Sequence, residues 1–287
     1  MSRWDDARAE PRRDDARQSG HRREFDPRTR KVSFAERKKH ALMDVAIYRT
    51  VAVRDLSQAR FGGHPYTTRR AVNAMVQAGW LREHSGKGPK GRPFKVLSVT
   101  EQGAKRARKL AGEYGLSGQV TWSGRGKKPE LRHDVAVYRA ARTEIAKLEE
   151  RGCSVERLRI EAELKRELAR GQHRGGAQER RQVARELDLP VRNGRVAVPD
   201  AQIEYRDAQG RTGRVSIEIV SENYSDDAIA GKAAAGFSLH SAGGGGGTRS
   251  GGRTTARIAA ALGRGAGSGS RSGGGRGHGR AGGSIDL

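Results

Sequence analysis

The sequence predicts an α+β protein with two small folded regions set between basic tails. Three observations carry that expectation. Apolar residues repeat at the helical period in segments before residue 112 and again from residue 131. Short apolar runs with strand-like alternation follow a helix in each region. Glycine collects between and beyond the patterned segments, at 113–129, where Pro129 joins it, and after 243. A chain of 287 residues has room for two such domains. The expected divisions are a disordered arm over 1–32, a first domain over 33–112, a linker over 113–129, a second domain over 130–242 and a disordered Gly/Arg-rich tail over 243–287.

The first domain opens at Ser33, with Glu36 three residues on as a capping box. Phe34, Ala41, Leu42, Val45 and Ile47 or Tyr48 then follow near helical spacing. Arg54–Phe61 reads as a short helix stopped at Gly62-Gly63, where glycine accepts a left-handed cap. Pro65 suits the first turn of the next helix, whose apolar stripe is Ala71, Val72, Met75 and Val76. Its other face carries Tyr66, Thr67, Thr68, Arg69, Arg70 and Asn73. Gly79 ends it, and Trp80-Leu81 starts a strand. Lys87, Lys90 and Arg92 sit among Gly86, Gly88, Pro89, Gly91 and Pro93, a basic hairpin tip before Phe94, Val96 and Val99. Thr100-Glu101-Gln102-Gly103 caps a last basic helix running to Leu110.

That order of helices, then Ala78-Gly79-Trp80-Leu81, a hairpin and Val99-Thr100-Glu101-Gln102-Gly103, resembles the winged helix-turn-helix proteins. The fold class predicted is therefore α+β, an N-terminal winged helix-turn-helix followed by a small mixed α/β domain. The resemblance implies contact with double-stranded DNA, the second long helix entering the major groove. Tyr66, Thr67, Arg70 and Asn73 are then the residues for base edges, with Thr68 beside them. Arg69, Lys87, Lys90 and Arg92 are suited to phosphates. The competing reading of the same fold is a dimerisation or protein-contact module, and the sequence leaves a homodimer open.

Charge points the same way. Lys plus Arg number 57 against 33 Asp plus Glu, a net charge of +24. Such an excess concentrates polyanions at the surface and speeds their capture; compositional bias toward Arg, Ala and Gly is the bland alternative. Hydrophobic residues are 34% and aromatics 5%, which is low for one folded unit and assigns part of the chain to disorder. Cys153 is the one cysteine, so an internal disulfide is excluded. No apolar run reaches the ~18 residues of a membrane span, and no apolar signal core stands at the N-terminus. The expectation is a cytoplasmic, nucleoid-associated protein with no membrane contact.

In the second domain, Leu131-Arg132-His133-Asp134 opens a helix whose apolar repeat runs through Val135, Ala141 and Ile145 to Leu148, ended by Gly152. Val155–Ile160 reads as a strand and Gln178–Leu187 as a basic amphipathic helix. Pro199-Asp200 leads into a strand over Ala201–Tyr205, turned at Asp207–Gly210 and paired with Val215–Val220. A helix over Asp227–Ala235 and a strand over Gly236–Ser241 close the domain.

His133-Asp134, Pro199-Asp200-Ala201, Glu218 in SIEIVSENY and Lys232 in GKAAAGF resemble the motifs of the replication-relaxation family of plasmid and integrative-element proteins. The resemblance covers 34–242 and implies an accessory role in replication, relaxation or mobilisation, beside other proteins of those processes. A second resemblance is to the PD-(D/E)XK nuclease fold, in which a Pro-Asp strand and a Glu-x-Lys strand face each other. It implies Mg²⁺ held by Asp200 and Glu218, with Lys232 as the catalytic lysine and Glu161 or Glu163 as helper. The chain departs from that pattern at Val220, which stands where the lysine belongs. An inactive scaffold of this kind, a plain winged-helix transcriptional regulator and an Mg²⁺-dependent nuclease or nicking protein remain open.

Other candidates are weaker. An Asp beside a helix start, as at Asp134, is explained by the helix dipole. His64, His84 and His240 lie scattered without metal-ligand spacing. The tail from 243 holds 18 of the 40 glycines and seven arginines. It reads either as a loose single-strand or RNA contact or as a silent solvated segment, with at most a transient helical turn at Arg257–Leu262.

Overall fold

The computed structural model describes residues 32–87, 93–116, 118–127, 130–192, 194–243 and 249–267, and they form a mixed α+β protein. The chain divides into two compact units. The first comprises 1–126, 145–158 and 204–213; the second comprises 127–144, 159–203 and 214–287.

The first unit begins with α1 (Phe34–Tyr48), β1 (Val51–Ala52), α2 (Val53–Phe61) and α3 (Pro65–Gln77). It continues through β2 (Leu81–Lys87), β3 (Pro93–Val99) and α4 (Glu101–Glu113). Ser33 Oγ accepts the Glu36 amide at 3.1 Å, and Thr100 Oγ1 accepts the Gly103 amide at 3.0 Å, so both helices start on a capping hydroxyl. Gly62 ends α2 at φ +62°, the left-handed cap that a glycine there supplies. The three strands order β1-β3-β2, with β2 and β3 an antiparallel hairpin from Leu81↔Val99 to Lys87↔Pro93. β1, at two residues, is too short to leave a periodic signal in the sequence.

Leu42, Met43 and Val45 from α1 pack with Leu56, Phe61, Val72, Met75, Leu81, Leu97 and Leu110, all fully or almost fully buried. Val76, expected in that stripe, is 38% exposed. Within the core lies one charged pair. Arg60 of α2 donates two hydrogen bonds of 2.6 Å to the Asp44 carboxylate of α1. Beside it, burial and the Arg60 charge hold the His40 imidazole neutral, its pKa lowered to about 4.

The segment 113–129 is expected to be a linker, but its described residues up to Gly126 pack into this unit. Trp122 N–H donates to Ala46 C=O at 2.8 Å, and Gly124 N–H to Val99 C=O at 2.8 Å. Gln119 is buried, and its side-chain amide bonds both backbone groups of Leu158. Its glycines mark turns in a folded strap, which composition does not distinguish from turns in a free one.

The remaining elements are α5 (Leu131–Glu150), β4 (Ser154–Ile160), α6 (Glu161–Glu186), the small hairpin β5 (Val191–Arg192) and β6 (Arg195–Val196), β7 (Ala201–Arg206), β8 (Thr212–Val220), α7 (Asp226–Ala234), β9 (Ser238–Ser241) and α8 (Arg249–Gly267). The main sheet runs β4-β7-β8-β9, and β9 lies parallel to β8 after the α7 crossover. Two departures from expectation stand out. Residues 161–174 are helical, so that α6 begins directly after β4. The tail also contains a helix. Ile258 and Ala261 of α8 are buried with Val220 and Ile229, and Arg257 donates to Asp226 Oδ1 at 2.7 Å. A few alanines and isoleucines spaced on one face suffice to dock it, despite the glycine around them.

Removing the Arg60 guanidinium takes away two hydrogen bonds and the opposite charge from the buried Asp44 carboxylate. Arg60→Met is expected to cost ~3–5 kcal/mol, read as a drop in Tm, and Asp44→Leu/Arg60→Met to recover most of it. A single variant with unchanged Tm would show that the pair contributes nothing.

Candidate functional site

Two places gather the residues singled out by the sequence. One lies on α3. Pro65 at the first turn sets its start, and Gly79, at φ +71°, ends the turn behind it. Ala71, Val72 and Met75 bury one side, which turns Tyr66, Arg69, Arg70 and Asn73 outward. Tyr66 is 80% exposed, uncommon for so large an aromatic ring in a folded unit. Thr67 is half-buried.

Thr68 is a correction. It is 1% exposed, and its hydroxyl is spent on Ser57 Oγ at 2.8 Å and the His64 carbonyl at 2.8 Å. It ties α2 to α3 and faces no ligand; a stretch of four polar residues cannot all share one face of a helix. Arg70 is exposed, yet its guanidinium lies 4.2 Å from the centroid of the Phe34 ring of α1. That cation–π contact holds the side chain on one side of the helix. Of the hairpin residues, Lys87 ends β2 opposite Pro93, while Lys90 and Arg92 lie outside the described residues.

The other place, in the second unit, is built around Asp200 at the start of β7. Its amide donates to Ile217 C=O at 3.0 Å, and its carbonyl accepts the Glu161 amide at 2.8 Å. Its Oδ2 accepts the Ile219 amide at 2.7 Å, and its Oδ1 stands 3.1 Å from His133 Nε2. Glu218 of β8 is 3% exposed. Its Oε1 meets Lys232 Nζ at 2.8 Å and accepts the Tyr224 hydroxyl at 2.8 Å. The Lys232 ammonium also lies 4.9 Å from the Phe237 ring centroid. Asp200, Glu218 and Lys232 are thus brought together. Lys232 comes from α7, while Val220, two residues beyond Glu218 on β8, is wholly buried in apolar packing.

His133 and Tyr224 join this group and were not singled out as site residues by sequence reasoning. The His133-Asp134 pair was visible, but a helix-start carboxylate has an ordinary explanation, and nothing in the spacing points from 133 to 200. Tyr224 sits in a polar turn with no periodicity. Glu161 contributes its backbone here, while its carboxylate pairs with Lys165 at 2.5 Å; Glu163 is buried.

The electrostatics follow from burial and from which charges touch. Asp134 and Asp200, at the two sides of the His133 ring, raise its pKa to about 10, so the imidazole is a cation at neutral pH. Burial and the Asp200 charge push the Glu218 carboxyl up, against the pull of Lys232 and Tyr224. Burial and the Glu218 charge also push the Tyr224 phenol up, so it stays a donor. Two carboxylates therefore stand among two cations and one hydroxyl. The second oxygen of Glu218 is buried and has no hydrogen-bond partner. Among the described residues no group of three or more His, Cys, Asp and Glu side chains is placed to hold a metal ion.

A third cluster has the composition of a catalytic triad but not its order. Ser238 Oγ, His240 Nε2 and Glu144 Oε1 lie 3.0–3.2 Å from one another. One ring nitrogen serves both partners, whereas a relay needs the serine and the carboxylate on opposite nitrogens. The cluster fastens β9 to α5.

Compared with known proteins, no family model matches this chain, and no curated protein or solved structure matches it significantly. Among the described residues no helix is long and apolar enough to cross a membrane.

The His133 ring is expected to titrate far above the ordinary 6.5, by NMR of its carbon-bound protons. Asp200→Asn is expected to bring the titration down toward neutral pH. A wild-type midpoint near 6.5 would mean that the ring does not face two carboxylates.

Proposed function

We propose that this chain binds double-stranded DNA through a winged helix-turn-helix made by α1–α4 and the β2–β3 hairpin, as an accessory factor in replication, relaxation or mobilisation of a plasmid or integrative element. The observation that carries the reading is the outward face of α3. Tyr66, Arg69, Arg70 and Asn73 are exposed together on a helix whose opposite side is the core. Donors of two kinds and a large aromatic ring at a helix surface are what base edges and phosphates require. The net charge of +24 adds long-range attraction for the same partner. The assignment to mobile elements rests on the motif pieces His133-Asp134, Pro199-Asp200-Ala201, Glu218 and Lys232, four of whose side chains meet around one site.

Arg69→Ala/Arg70→Ala is expected to weaken duplex binding in a gel-shift assay at ~0.1 M salt. The expected cost is on the order of 1–3 kcal/mol for each base-edge interaction that the arginines make. Unchanged affinity would remove α3 as the binding surface.

A second reading is favoured by one observation, the arrival of Lys232 at Glu218 beside Asp200. On this reading the second unit is a metal-dependent DNA nuclease or nicking module. Asp200 and Glu218 would hold Mg²⁺, which when bound supplies a Lewis acid and an activated water. Glu218 offers its unpartnered buried oxygen, and Lys232 holds the carboxylate in place and can balance charge on a phosphate. Asp200 also fixes the backbone, so the isosteric variant is the sound test. Asp200→Asn is expected to abolish Mg²⁺-dependent nicking of supercoiled plasmid with duplex affinity retained, at a temperature below the variant's own Tm. Absence of cleavage by the wild-type chain in Mg²⁺ and in Mn²⁺ would leave the non-enzymatic reading alone.

A further inference from the structure

Helix α6 is not one straight rod. Gly175 and Gly176 have non-helical backbone angles, and Gly176, at φ +65° and ψ −149°, occupies a region open essentially to glycine alone. The chain reverses there. A Cβ placed on Gly171 would lie 2.8 Å from Val183 Cγ2 and 3.3 Å from the Glu179 carbonyl. In a straight helix twelve residues span ~18 Å, so the second segment must fold back along the first. Leu164 and Leu168 of the first segment are buried with Val183 and Ala184 of the second, together with Leu187 and Leu189. The insertion between β4 and β7 is therefore a helical hairpin with its own apolar core and a glycine turn at its tip.

The tip is cationic. Arg170, His173, Arg174 and Arg181 are exposed there, and Arg180 is half-buried. The one acidic residue between 168 and 185, Glu179, pairs with Arg174 at 3.4 Å. Among the described residues Arg170, Arg180 and Arg181 have no acidic partner, although aligned pairing is readily available on a helix surface. Glycine at the turn keeps the backbone bare, which allows close approach to a flat, charged surface.

We propose that this tip is a second nucleic-acid contact, gripping backbone phosphates of duplex DNA independently of α3; the inference rests on the DNA-binding reading above. Three features select this partner. Arginine is the cation suited to forked phosphate contacts. Among the described residues the tip exposes no apolar side chain larger than that of Ala177, too little to enter a lipid surface or fill a protein groove. The hairpin holds no Phe, Tyr or Trp, and a single strand needs such stacking platforms. The contact is therefore electrostatic and indifferent to sequence.

The test uses the full chain, a fluorescent duplex and a salt series read by anisotropy. Arg170→Gln/Arg174→Gln/Arg181→Gln is expected to reduce the log–log salt slope by roughly two to three, at about 0.9 per phosphate, with Tm unchanged. Lysine at the same three positions is expected to keep the wild-type slope. A wild-type slope in the glutamine triple overturns the hairpin contact and leaves the α3 reading standing. An equal reduction in the lysine triple overturns it too, because charge would then not be the cause. Competition by a single strand as strong as by duplex overturns the choice of partner. A wild-type chain that does not bind duplex overturns the parent reading and this one with it.

Discussion

The second unit is organised by the backbone and side chain of one residue, Asp200. Four hydrogen-bonding groups of this residue reach three elements: the start of α6 through Glu161, two rungs of β8 through Ile217 and Ile219, and α5 through His133. A carboxylate that accepts a backbone amide in a half-buried place is strongly localised. Everything that meets it inherits that placement. Glu218 lies between Ile217 and Ile219, so the register that satisfies Asp200 also sets the Glu218 side chain. The site and the pairing of the two central strands are thus one construction, and the same bonds serve a structural account of Asp200 as well as a chemical one.

The two candidate sites use charge in opposite ways. Around Asp200 and Glu218 each carboxylate has its own cation, and burial makes the balance steep, because an unmatched charge in a low-dielectric place is costly. On α3 and on the tip of α6 the cations face water. There each exposed charge contributes little to folding, so its presence is not explained by stability. Arg70 shows the boundary between the two cases, since stacking on Phe34 restricts it without neutralising it.

Much of this was legible from residues. Capping hydroxyls at Ser33 and Thr100 and stop glycines at Gly62 and Gly79 each have a local physical cause and stand in the structure, and β3, β7 and β8 form as strands, although each is buried continuously at one end instead of alternating. The failures share a cause as well. The first half of α6 has only Leu164 and Leu168 as large apolar residues, because it buries a single narrow stripe against its own second half. α8 was hidden by glycine composition, and the strap within 113–129 by the same signal. Thr68 looked like its neighbours Thr67 and Arg69 but faces the core, a matter of helical phase that a polar run does not reveal. The His133-Asp134 pair has an ordinary explanation in the helix dipole, and the contact from His133 to Asp200 is long-range and leaves no periodic trace.

Helix α8 docks on Val220 and Ile229 with two small apolar contacts and the Arg257 clasp on Asp226 and on the Tyr224 carbonyl. As a free peptide such a helix would bind feebly. Joined to its own docking surface, it is an intramolecular ligand, whose effective concentration is set by a short tether and can reach the millimolar range. A weak interface is then enough for occupancy. The residue that α8 clasps through its carbonyl, Tyr224, is also the one whose hydroxyl donates to Glu218.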